Sequence, residues 1–369
     1  MLVTFLWLNL PYTYDYEFTL LSRIAVFKNI LLGSEEKPPR EDFLFINVAY
    51  EKKLIDKYDD FGFPIGNEAI TDRSRLAAFF EKASHANSHK FIVCDVFANV
   101  PTEDDSLLEA SVHSVKRVVF PYHFIDDSLI MPVVNVPAAL GDYSSDFGTF
   151  VKYFYVLHDT CRSMALTMYE QSDHGRFEYR PFISRLNGKP ALNSFIIDFP
   201  IRQYDIFTND STGYTSMHLQ DVLNLPDSMV DVLLKDRIII LGDFLEGDRH
   251  TTMYGDTAGP LIHADAYLAL KSQANRLSLL FFVYLFLCFL FFSYRLFYPE
   301  RFGGIKWIEK IKSSKYGGFI FDYLEYALVL ALMSALSYVF FGIHLNVLVM
   351  SLYFSVTENV IDYYRTRNK

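Results

Sequence analysis

The sequence has few cysteines and very few tryptophans: three and two, respectively, among 369 residues. Three cysteines are too few for the disulfide framework that holds small secreted domains together. Cys94 and Cys161 could form one disulfide in an oxidising compartment, but we favour two buried free thiols. Cys288 lies within a long apolar run.

Sequence motifs of common enzyme classes are also absent. There is no G-x-S-x-G nucleophile elbow, no phosphate-binding P-loop, no H-E-x-x-H zinc motif and no G-x-G-x-x-G dinucleotide motif. A glycosidase-like pair of Asp95 and Asp243 stays open, because the separation of two carboxylates depends on the fold. We expect no catalytic residues, no enzymatic activity and no cofactor.

Positive charge is scarce in most of the chain. The net formal charge is −10, and residues 1–276 carry 25 basic and 38 acidic side chains. A segment with this balance repels nucleic-acid phosphates and anionic lipid headgroups, so nucleic acid is excluded as a partner. Residues 277–369 have the opposite balance, with 9 basic and 6 acidic side chains.

Apolar residues, in contrast, make up 51% of the chain and concentrate near its C-terminus. Leu277–Tyr298, Phe319–Phe341 and Ile343–Val356 are three apolar runs. A helix of about 20 residues crosses the hydrocarbon core of a bilayer, so the first two runs predict transmembrane helices, as does the third if it continues towards Tyr364. We expect residues 277–369 to form an all-α transmembrane bundle of three helices in the lipid bilayer. Buried helices of a soluble domain are the alternative.

Basic residues beside these runs predict their orientation, because Lys and Arg favour the cytoplasmic side. They lie between the first two runs and after the third: Arg301, Lys306, Lys310, Lys312, Lys315, Arg365, Arg367 and Lys369. We therefore expect a short cytoplasmic loop and tail, with everything before Leu277 outside. The apolar segment before Pro11 is too short to span a bilayer, so residues 1–12 are interpreted as part of an N-terminal transmembrane helix.

Residues 13–276 alternate short apolar strands with amphipathic helices, which predicts an α/β fold, a mixed sheet with flanking helices. The predicted strands are Phe43–Ala49, Phe91–Ala98, Arg117–Tyr122, Met131–Val136, Thr149–Leu157, Ser194–Phe199 and Arg237–Asp243. Three helices are predicted among these strands. The first begins at a cap, Thr71 or Asp72, and the other two cover Asp104–Val115 and His158–Gln171. Turn-forming residues predict loose segments at Gly33–Asp42, Tyr50–Glu68 and Thr208–Thr215.

A fourth helix is predicted to begin at Gly259-Pro260. No glycine or proline occurs between Leu261 and Tyr298, so we expect this helix to continue without a break into the first apolar run. Such a stiff helix would move that run like a lever.

Acidic side chains follow two of the predicted strands. Asp95 ends one strand, and Asp243, Asp248 and His250 follow another in the segment ILGDFLEGDRHTT, residues 240–252. Open α/β sheets bind ligands in the crevice outside the carboxyl ends of their strands, so these four residues, with Asp105, are predicted to bind a ligand. The alternatives are an Asx-type turn at Asp243 and Asp248 and helix capping by Asp104 and Asp105.

Two histidines near these acids raise the question of a metal. His250 and His263 do not have the i,i+4 spacing of a helical metal pair, and no cysteine joins them, so no metal is predicted. His263 lies between Ile262 and Ala264 and is more simply explained as a hydrogen-bonded core histidine.

The order of these motifs along the chain indicates a protein family. An early segment contains Asp95, Phe97, Pro101, Asp104-Asp105, Leu108 and Ala110; a late one contains Leu241-Gly242, Asp248, Thr251-Thr252, Gly259-Pro260 and Ile262-His263-Ala264. Followed by three apolar runs, this set resembles the CHASE2 family of bacterial extracytoplasmic sensory domains. Gly148–Lys152 is similar to the family's central D-G-v-v-R, with Phe147 where an acidic residue is usual, Lys152 in place of the arginine, and Met253 in place of the proline after the threonines.

The resemblance implies a receptor input domain in a bacterial inner (cytoplasmic) membrane. Family members are usually joined to a cytoplasmic output module, and we expect no catalytic module after the apolar runs of this chain. We therefore expect a sensor subunit that binds an unknown small molecule or periplasmic ligand and signals to a separate cytoplasmic or membrane protein. A structural subunit of an envelope complex is the alternative. Ala327, Ala331 and Ala335 form a small-residue face that suits packing within the bundle or a homodimer.

Overall fold

The structure is a computed structural model that describes residues 8, 15–32, 37–59, 61–125, 128–143, 145–146, 149–150, 152–158, 160–208, 213–245, 247–297 and 317–367. The chain divides into two compact units. We call Glu35–Phe177 with Ile197–Gln273 the sheet unit, and Met1–Ser34 with Glu178–Ile196 and Ala274–Lys369 the helical unit. Most of residues 1–12, predicted as part of a transmembrane helix, lies outside the described residues.

The strands, in chain order, are β1 (Phe43–Asn47), β2 (Lys52–Tyr58), β3 (Pro64–Thr71), β4 (Phe91–Asp95), β5 (Val118–Ile125), β6 (Ser128–Ile130), β7 (Ala138–Leu140), β8 (Ser145–Asp146), β9 (Thr149–Phe150), β10 (Lys152–Phe154), β11 (Val156–Leu157), β12 (Cys161–Arg162), β13 (Phe177–Glu178), β14 (Ser184–Leu186), β15 (Lys189–Ala191), β16 (Ser194–Ile196), β17 (Thr215–His218), β18 (Ile238–Gly242), β19 (Arg249–Thr252) and β20 (Gly255–Ala258). The helices are α1 (Asp15–Leu32), α2 (Arg73–Ala86), α3 (Asp105–His113), α4 (Met164–Ser172), α5 (Gln203–Phe207), α6 (Leu219–Asn224), α7 (Asp227–Leu234), α8 (Gly259–Lys271), α9 (Leu279–Phe297), α10 (Gly317–Phe341) and α11 (Val347–Arg367).

The central sheet of the sheet unit has seven strands within the described residues. Their order is β17-β1-β18-β4-β5-β6, and β7 also pairs with β5. All of these pairings are parallel except β5 with β6, so the predicted mixed sheet is confirmed. Asn47, Gly242 and Asp95 lie side by side at the ends of β1, β18 and β4. We call this row the carboxyl edge.

Helices cover both faces of the sheet, because side chains on both faces of its central strands are apolar. Leu44 and Ile46 of β1 belong to the buried cluster formed with residues of α2, α3, α6 and α7. Phe43 of β1 packs with Tyr267 of α8, at a ring distance of 6.5 Å. α4 packs beside α8 and also contacts β4 and β5. The flanking helices predicted from the sequence are therefore confirmed.

The predicted start of α2 is confirmed at Asp72. The Asp72 carboxylate accepts hydrogen bonds from the backbone N–H groups of Ser74 at 2.9 Å and Arg75 at 3.4 Å, which satisfies two donors that the helix leaves unpaired. The helix ends at Asn87, whose φ of +42° is left-handed. Its apolar stripe, which includes Phe79 and Phe80, is buried against the sheet.

Several connections differ from the sequence prediction. Met131–Val136 contains no strand and lies between β6, which ends at Ile130, and β7, which begins at Ala138. Tyr50–Glu68, predicted to be loose, lies largely within an antiparallel hairpin of β2 and β3, whose apolar and polar residues do not alternate regularly. α4 begins at Met164 rather than His158, because the Ser163 hydroxyl accepts a hydrogen bond from Leu166 N at 3.3 Å and caps the helix. Part of the predicted loose segments, residues 33–36 and 209–212, lies outside the described residues.

The three cysteines are free thiols, with Cys94 and Cys288 buried and Cys161 half-buried. The alternative disulfide between Cys94 and Cys161 is therefore absent. Cys94 lies within the apolar core of the sheet unit, where burial raises the pKa of its thiol well above its ordinary value. The protonated thiol packs there as a small apolar side chain.

In the helical unit, α9, α10 and α11 pack together around an apolar core that includes Phe281, Phe292 and Phe354. The Ser334 and Ser337 hydroxyls of α10 donate hydrogen bonds of 2.6 Å to carbonyls of the turn before α11. Ala331 and Ala335 are half-buried in α10, and the side chain of Ala327 lies outside the described residues. None of the helices, as far as the structure describes them, combines the length and the mean hydropathy that a membrane crossing requires.

The prediction of one unbroken helix from Gly259 into the first apolar run is wrong. α8 ends at Lys271, Gln273 has a left-handed φ of +59°, and α9 begins at Leu279. Within the helical unit, the Asn275 side-chain amide donates to the Leu192 carbonyl at 2.7 Å, and the Asn275 carbonyl accepts from Leu192 N at 2.9 Å. These bonds hold Asn275 outside a helix, so no glycine or proline is needed for the break.

Replacing Asp72 by alanine should destabilise the sheet unit by about 1 kcal/mol, because two N–H groups at the start of α2 lose their acceptor. Chemical denaturation of the purified chain, followed by circular dichroism, measures this loss. Asp231→Ala, at an exposed position of α7, is the matched control and should change stability by less than about 0.5 kcal/mol. Equal losses in both variants would mean that the Asp72 cap does not stabilise α2.

Candidate functional site at the carboxyl edge

A group of ionisable side chains lies beyond the carboxyl edge of the central sheet. We call it the strand-end cluster; its members are Asp95, Tyr143, Tyr153, Asp248, His250 and His263. They come from β4, from the segment after β7, from β10, from β19 and the residue before it, and from α8. Parallel strands place residues that are distant in sequence at one edge of the sheet, which is where open α/β sheets bind ligands.

Asp95 is the innermost acid of the cluster, with a side chain that is 8% exposed. Its Oδ2 has no hydrogen-bond partner among the described residues. Oδ2 lies 3.8 Å from Nε2 of His263, which is too far for a hydrogen bond. Burial, and after it the negative charge of Asp248, raises the pKa of Asp95 well above its ordinary value. Asp95 is therefore a buried carboxyl group with an unbonded oxygen, and in its protonated form it can donate a hydrogen bond to a ligand as well as accept one.

His263 lies opposite Asp95 and is 1% exposed. Its Nδ1 is 3.2 Å from the Tyr153 hydroxyl, so the prediction of a hydrogen-bonded core histidine is confirmed. Burial lowers the pKa of His263 to about 4, and the ring is neutral at pH 7. With the pKa of Asp95 raised and that of His263 lowered, burial disfavours an ion pair between them.

Asp248 and His250 form the accessible side of the cluster. Oδ1 of Asp248 and Nε2 of His250 are 2.6 Å apart, and the two side chains are 40% and 32% exposed. The His250 ring packs edge-on against Tyr143 at a ring distance of 4.6 Å. Burial, then the charges of Asp248 and Asp95, raises the pKa of Tyr143 well above its ordinary value. Tyr143 therefore keeps its proton and can donate a hydrogen bond.

Two glycines allow the elements around the cluster to come close. A Cβ on Gly259, the first residue of α8, would collide with the Asp248 carboxylate and lie 3.0 Å from the Tyr143 hydroxyl. A Cβ on Gly242 would collide with Pro260 and lie 3.3 Å from Cβ of Asp95. Both glycines are thus required by close packing around the cluster, beyond any role in starting a helix.

A second histidine–aspartate pair, His123 with Asp142, acts electrostatically on His263. Nδ1 of His123 is 2.7 Å from Oδ1 of Asp142, whose Oδ2 accepts the N–H of Phe124 at 2.6 Å. The sequence analysis missed this pair, as well as Tyr143 and Tyr153. A signal existed, because Asp142 and Tyr143 closely follow β7, but the wrong strand prediction at Met131–Val136 concealed it.

The structure brings together three of the five residues predicted to bind a ligand: Asp95, Asp248 and His250. Asp243 follows Gly242 at the carboxyl edge, where its Oδ1 accepts the N–H of Leu245 at 2.9 Å. This is the Asx-type turn that the sequence offered as the alternative. Oδ2 of Asp243 lies 3.6 Å from the Lys52 ammonium. Asp243 therefore orders the loop that leads to Asp248.

Asp105 lies at the start of α3 and is paired with the buried Arg73 guanidinium. Its carboxylate also accepts hydrogen bonds from the Thr102 backbone N–H at 2.9 Å and the Thr102 hydroxyl at 2.7 Å. Burial alone would raise the pKa of Asp105, but these hydrogen bonds and Arg73 together lower it. Asp104 makes no capping bond and instead pairs with Lys53 at 2.8 Å. The contacts of Asp105 are those of a structural ion pair.

Among the described residues, no group of three or more histidine, cysteine, aspartate or glutamate side chains is arranged to hold a metal ion. The histidines of the cluster instead contact aspartate and tyrosine side chains. The side chains of the strand-end cluster therefore offer hydrogen-bond donors and acceptors to a ligand.

An open, mostly parallel sheet with helices on both faces and polar side chains at its strand ends is an α/β architecture. The model of the CHASE2 domain family matches residues 11–294, which is more than half of the chain. The chain therefore belongs to the CHASE2 family of sensory domains, and the resemblance seen in the ordered motifs is confirmed. No curated protein and no solved structure shows significant similarity to the chain.

Asp95→Asn should change the pH dependence of stability. Because the pKa of Asp95 is raised in the folded chain, the wild type loses stability as the pH rises from about 4 towards that raised value. Asparagine stays neutral, so the melting temperature of the variant relative to the wild type should increase between about pH 5 and pH 8. His263 is present in both proteins, and its opposite dependence largely cancels from the difference.

Asp231→Asn, at an exposed position, is the control and should follow the wild type at every pH. If Asp95→Asn lowers the melting temperature by the same amount at all pH values, Asp95 is ionised and bonded in the folded chain. The interpretation of Asp95 as an unsatisfied neutral acceptor would then be wrong.

Proposed function

We propose that the chain is a membrane-bound sensor subunit. Its sheet unit binds a small solute or periplasmic partner at the strand-end cluster and signals, through the helical unit, to a separate cytoplasmic or membrane protein. The observation that carries the proposal is the unsatisfied Oδ2 of Asp95, which is enclosed beside the accessible Asp248–His250 pair. Membership of a sensory domain family supports the same role.

The energetics of the cluster favour a ligand that forms hydrogen bonds. A buried polar atom without a partner costs about 1–3 kcal/mol, and a ligand group that is hydrogen-bonded to Asp95 would recover part of that cost. Asp248 can accept a second hydrogen bond nearer the surface, while the Tyr143 hydroxyl can donate one. A solute with several N–H or O–H groups fits this set better than an apolar one.

Attachment to a membrane is supported by where large apolar side chains lie in α9, α10 and α11. Several are more than half exposed: Leu279, Leu280, Phe286, Leu287, Leu290, Phe297, Leu328, Leu332, Phe340 and Val356. Soluble domains rarely expose so many neighbouring large apolar groups, whereas lipid tails would cover them. Because no described helix by itself meets the requirement for a crossing, insertion and orientation need a direct test.

A specific observation favours the alternative, a structural subunit of an envelope complex. The turn of the β2–β3 hairpin exposes Phe61 by 87% and Phe63 by 67%. Oδ1 of Asp59 accepts the N–H groups of both phenylalanines at 3.0 and 2.8 Å. An exposed aromatic pair suits contact with another protein. If Phe61→Ser and Phe63→Ser together release the chain from a larger complex and Asp248→Asn has no effect, the alternative is favoured.

Asp248→Asn should abolish the stabilisation that a cognate solute gives to the wild type. The test is a thermal-melting screen of the purified chain with amino acids, polyamines and sugars. A solute at 100 times its Kd stabilises the folded state by about 2.7 kcal/mol. Asp231→Asn is the control and should keep the full shift. A solute that stabilises Asp248→Asn as much as the wild type would place the binding site elsewhere.

The membrane topology is tested by adding one cysteine at a time to a chain whose Cys161 is replaced by serine, while the buried Cys94 and Cys288 are kept. Ser106→Cys, exposed on α3, should react with a membrane-impermeant maleimide in intact cells, whereas Thr366→Cys, exposed near the end of α11, should react only after permeabilisation. The reason is the basic loop and tail, which favour the cytoplasmic side. The reverse pattern, or recovery of the chain in the soluble fraction, would reject the proposed membrane orientation.

A further inference from the structure

The helical unit contains a short hairpin with several basic side chains. β14 and β15 pair antiparallel through a two-residue turn, and both turn residues have the positive φ values that such a tight turn requires. We call residues 179–192 the basic hairpin, because they include two arginines and one lysine but no acidic residue. Arg185 and Lys189 are exposed, and Arg180 pairs with the preceding Glu178 at 3.5 Å.

The basic hairpin is joined to the start of α9 by backbone contacts within the helical unit. Leu277 N donates a hydrogen bond to the Pro190 carbonyl at 2.9 Å, and Ala191 forms an isolated antiparallel bridge with Arg276. Leu277 is part of the buried core of the unit, whereas the side chain of Arg276 is exposed. The basic residues of the hairpin and Arg276 therefore lie on one continuous piece of structure at the beginning of α9.

Charge at this end of the helical unit has one sign. Residues 179–196 and 274–297 contain no aspartate or glutamate. The turn after α10 shares the buried core of Leu277, and Lys28 of α1 lies near that turn, with its ammonium 4.9 Å over the Tyr338 ring. The acidic balance of the whole chain before the first apolar run disfavours anionic lipids, but it averages over this local excess of positive charge.

Large apolar side chains are exposed beside these basic groups. Leu279 and Leu280, in the first turn of α9, are 79% and 71% exposed, and Phe182 of the basic hairpin is 49% exposed. Basic groups next to exposed apolar groups match the boundary between lipid headgroups and acyl chains. An acidic protein could neutralise the same charges, but the two leucines continue into the exposed apolar side chains of α9 and α10, which a bilayer would cover as a whole.

We infer that the basic hairpin and the start of α9 bind the headgroups of anionic phospholipids. Arg185 and Lys189 contact the phosphates, to which a guanidinium can donate two parallel hydrogen bonds, while Leu279 and Leu280 contact the acyl chains. The inference rests on the membrane attachment in the proposed function and adds the class of lipid that the chain selects. It does not require a helix that crosses the bilayer.

Photocrosslinking of the full chain, reconstituted in phosphatidylcholine vesicles, tests the inference. The probes are trace phosphatidylglycerol or phosphatidylcholine with a photoreactive group near the headgroup, and labelling is mapped to residues 179–192 and 274–280. A basic side chain near an anionic surface changes lipid affinity by about 5-fold. Phosphatidylglycerol should therefore label these residues at least about 5-fold more than phosphatidylcholine. Replacing both Arg185→Gln and Lys189→Gln should bring the two lipids to nearly equal labelling.

Two further variants separate loss of charge from loss of folding. Arg185→Lys with Lys189→Arg keeps both charges and should keep the preference for phosphatidylglycerol. Lys116→Gln with Lys235→Gln removes two exposed charges from the sheet unit and should also keep it. The inference is overturned if wild-type labelling by the two lipids is equal, if the double glutamine variant is labelled like the wild type, or if the charge-keeping variant loses the preference.

Competition and flotation identify the source of any failure. Soluble glycerol phosphate should not reduce the labelling, whereas complete competition by it, or by polyglutamate, would indicate a site for a free anion or an acidic protein and overturn the inference. Flotation of the same vesicles measures attachment separately. A chain that floats but shows no lipid preference contradicts only this inference, whereas a chain that floats with neither neutral nor anionic vesicles contradicts the membrane attachment as well.

Discussion

The parallel register of β1, β18 and β4 is the constraint on which the fold and the candidate site both depend. It places Asn47, Gly242 and Asp95 in one row, and helices cover both faces of the sheet, so polar side chains collect at this edge. Oδ1 of Asn47 accepts the N–H groups of Ala49 at 3.0 Å and Phe244 at 3.4 Å and so connects the loops that follow two strands. Asp95, two strands away, has no comparable bond at Oδ2. The same row thus contains one residue that fixes loops and one that is available to a ligand.

Two pairs of ionisable groups differ in how far their hydrogen bonds are satisfied, and this difference supports the strand-end cluster as the proposed binding site. Arg73 and Asp105 are paired, and Thr102 adds two hydrogen bonds to the carboxylate. Their interactions are already satisfied, so a ligand would gain little by replacing them. Asp95 and His263 are 3.8 Å apart without a hydrogen bond, and burial favours the neutral form of each. A ligand that supplies a hydrogen bond would therefore gain free energy only at the pair of Asp95 and His263.

Local patterns were sufficient to predict the central elements. β1, β4 and β18 are short, continuously apolar segments, and α2 combines an apolar stripe with a cap at Asp72, so residues close in sequence determine each of them. The placement of Asp95 and Asp248 at the strand ends was predictable for the same reason, because both follow recognisable strands; their binding of a ligand stays a prediction. β7 was missed because it is three residues long, and with it Asp142 and Tyr143. Asp243 and Asp105 had the same sequence signal as Asp95, and only their partners Leu245 and Arg73 distinguish them.

The break after α8 has a cause that local sequence does not show. Residues 261–298 contain no glycine or proline, and yet the helix ends at Lys271, because Asn275 is bonded to Leu192, 83 residues earlier in the chain. For the proposed sensor this excludes one continuous helix as a rigid lever. A displacement of α8 would instead pass through the connection at Gln273, whose left-handed backbone separates α8 from the bonded Asn275.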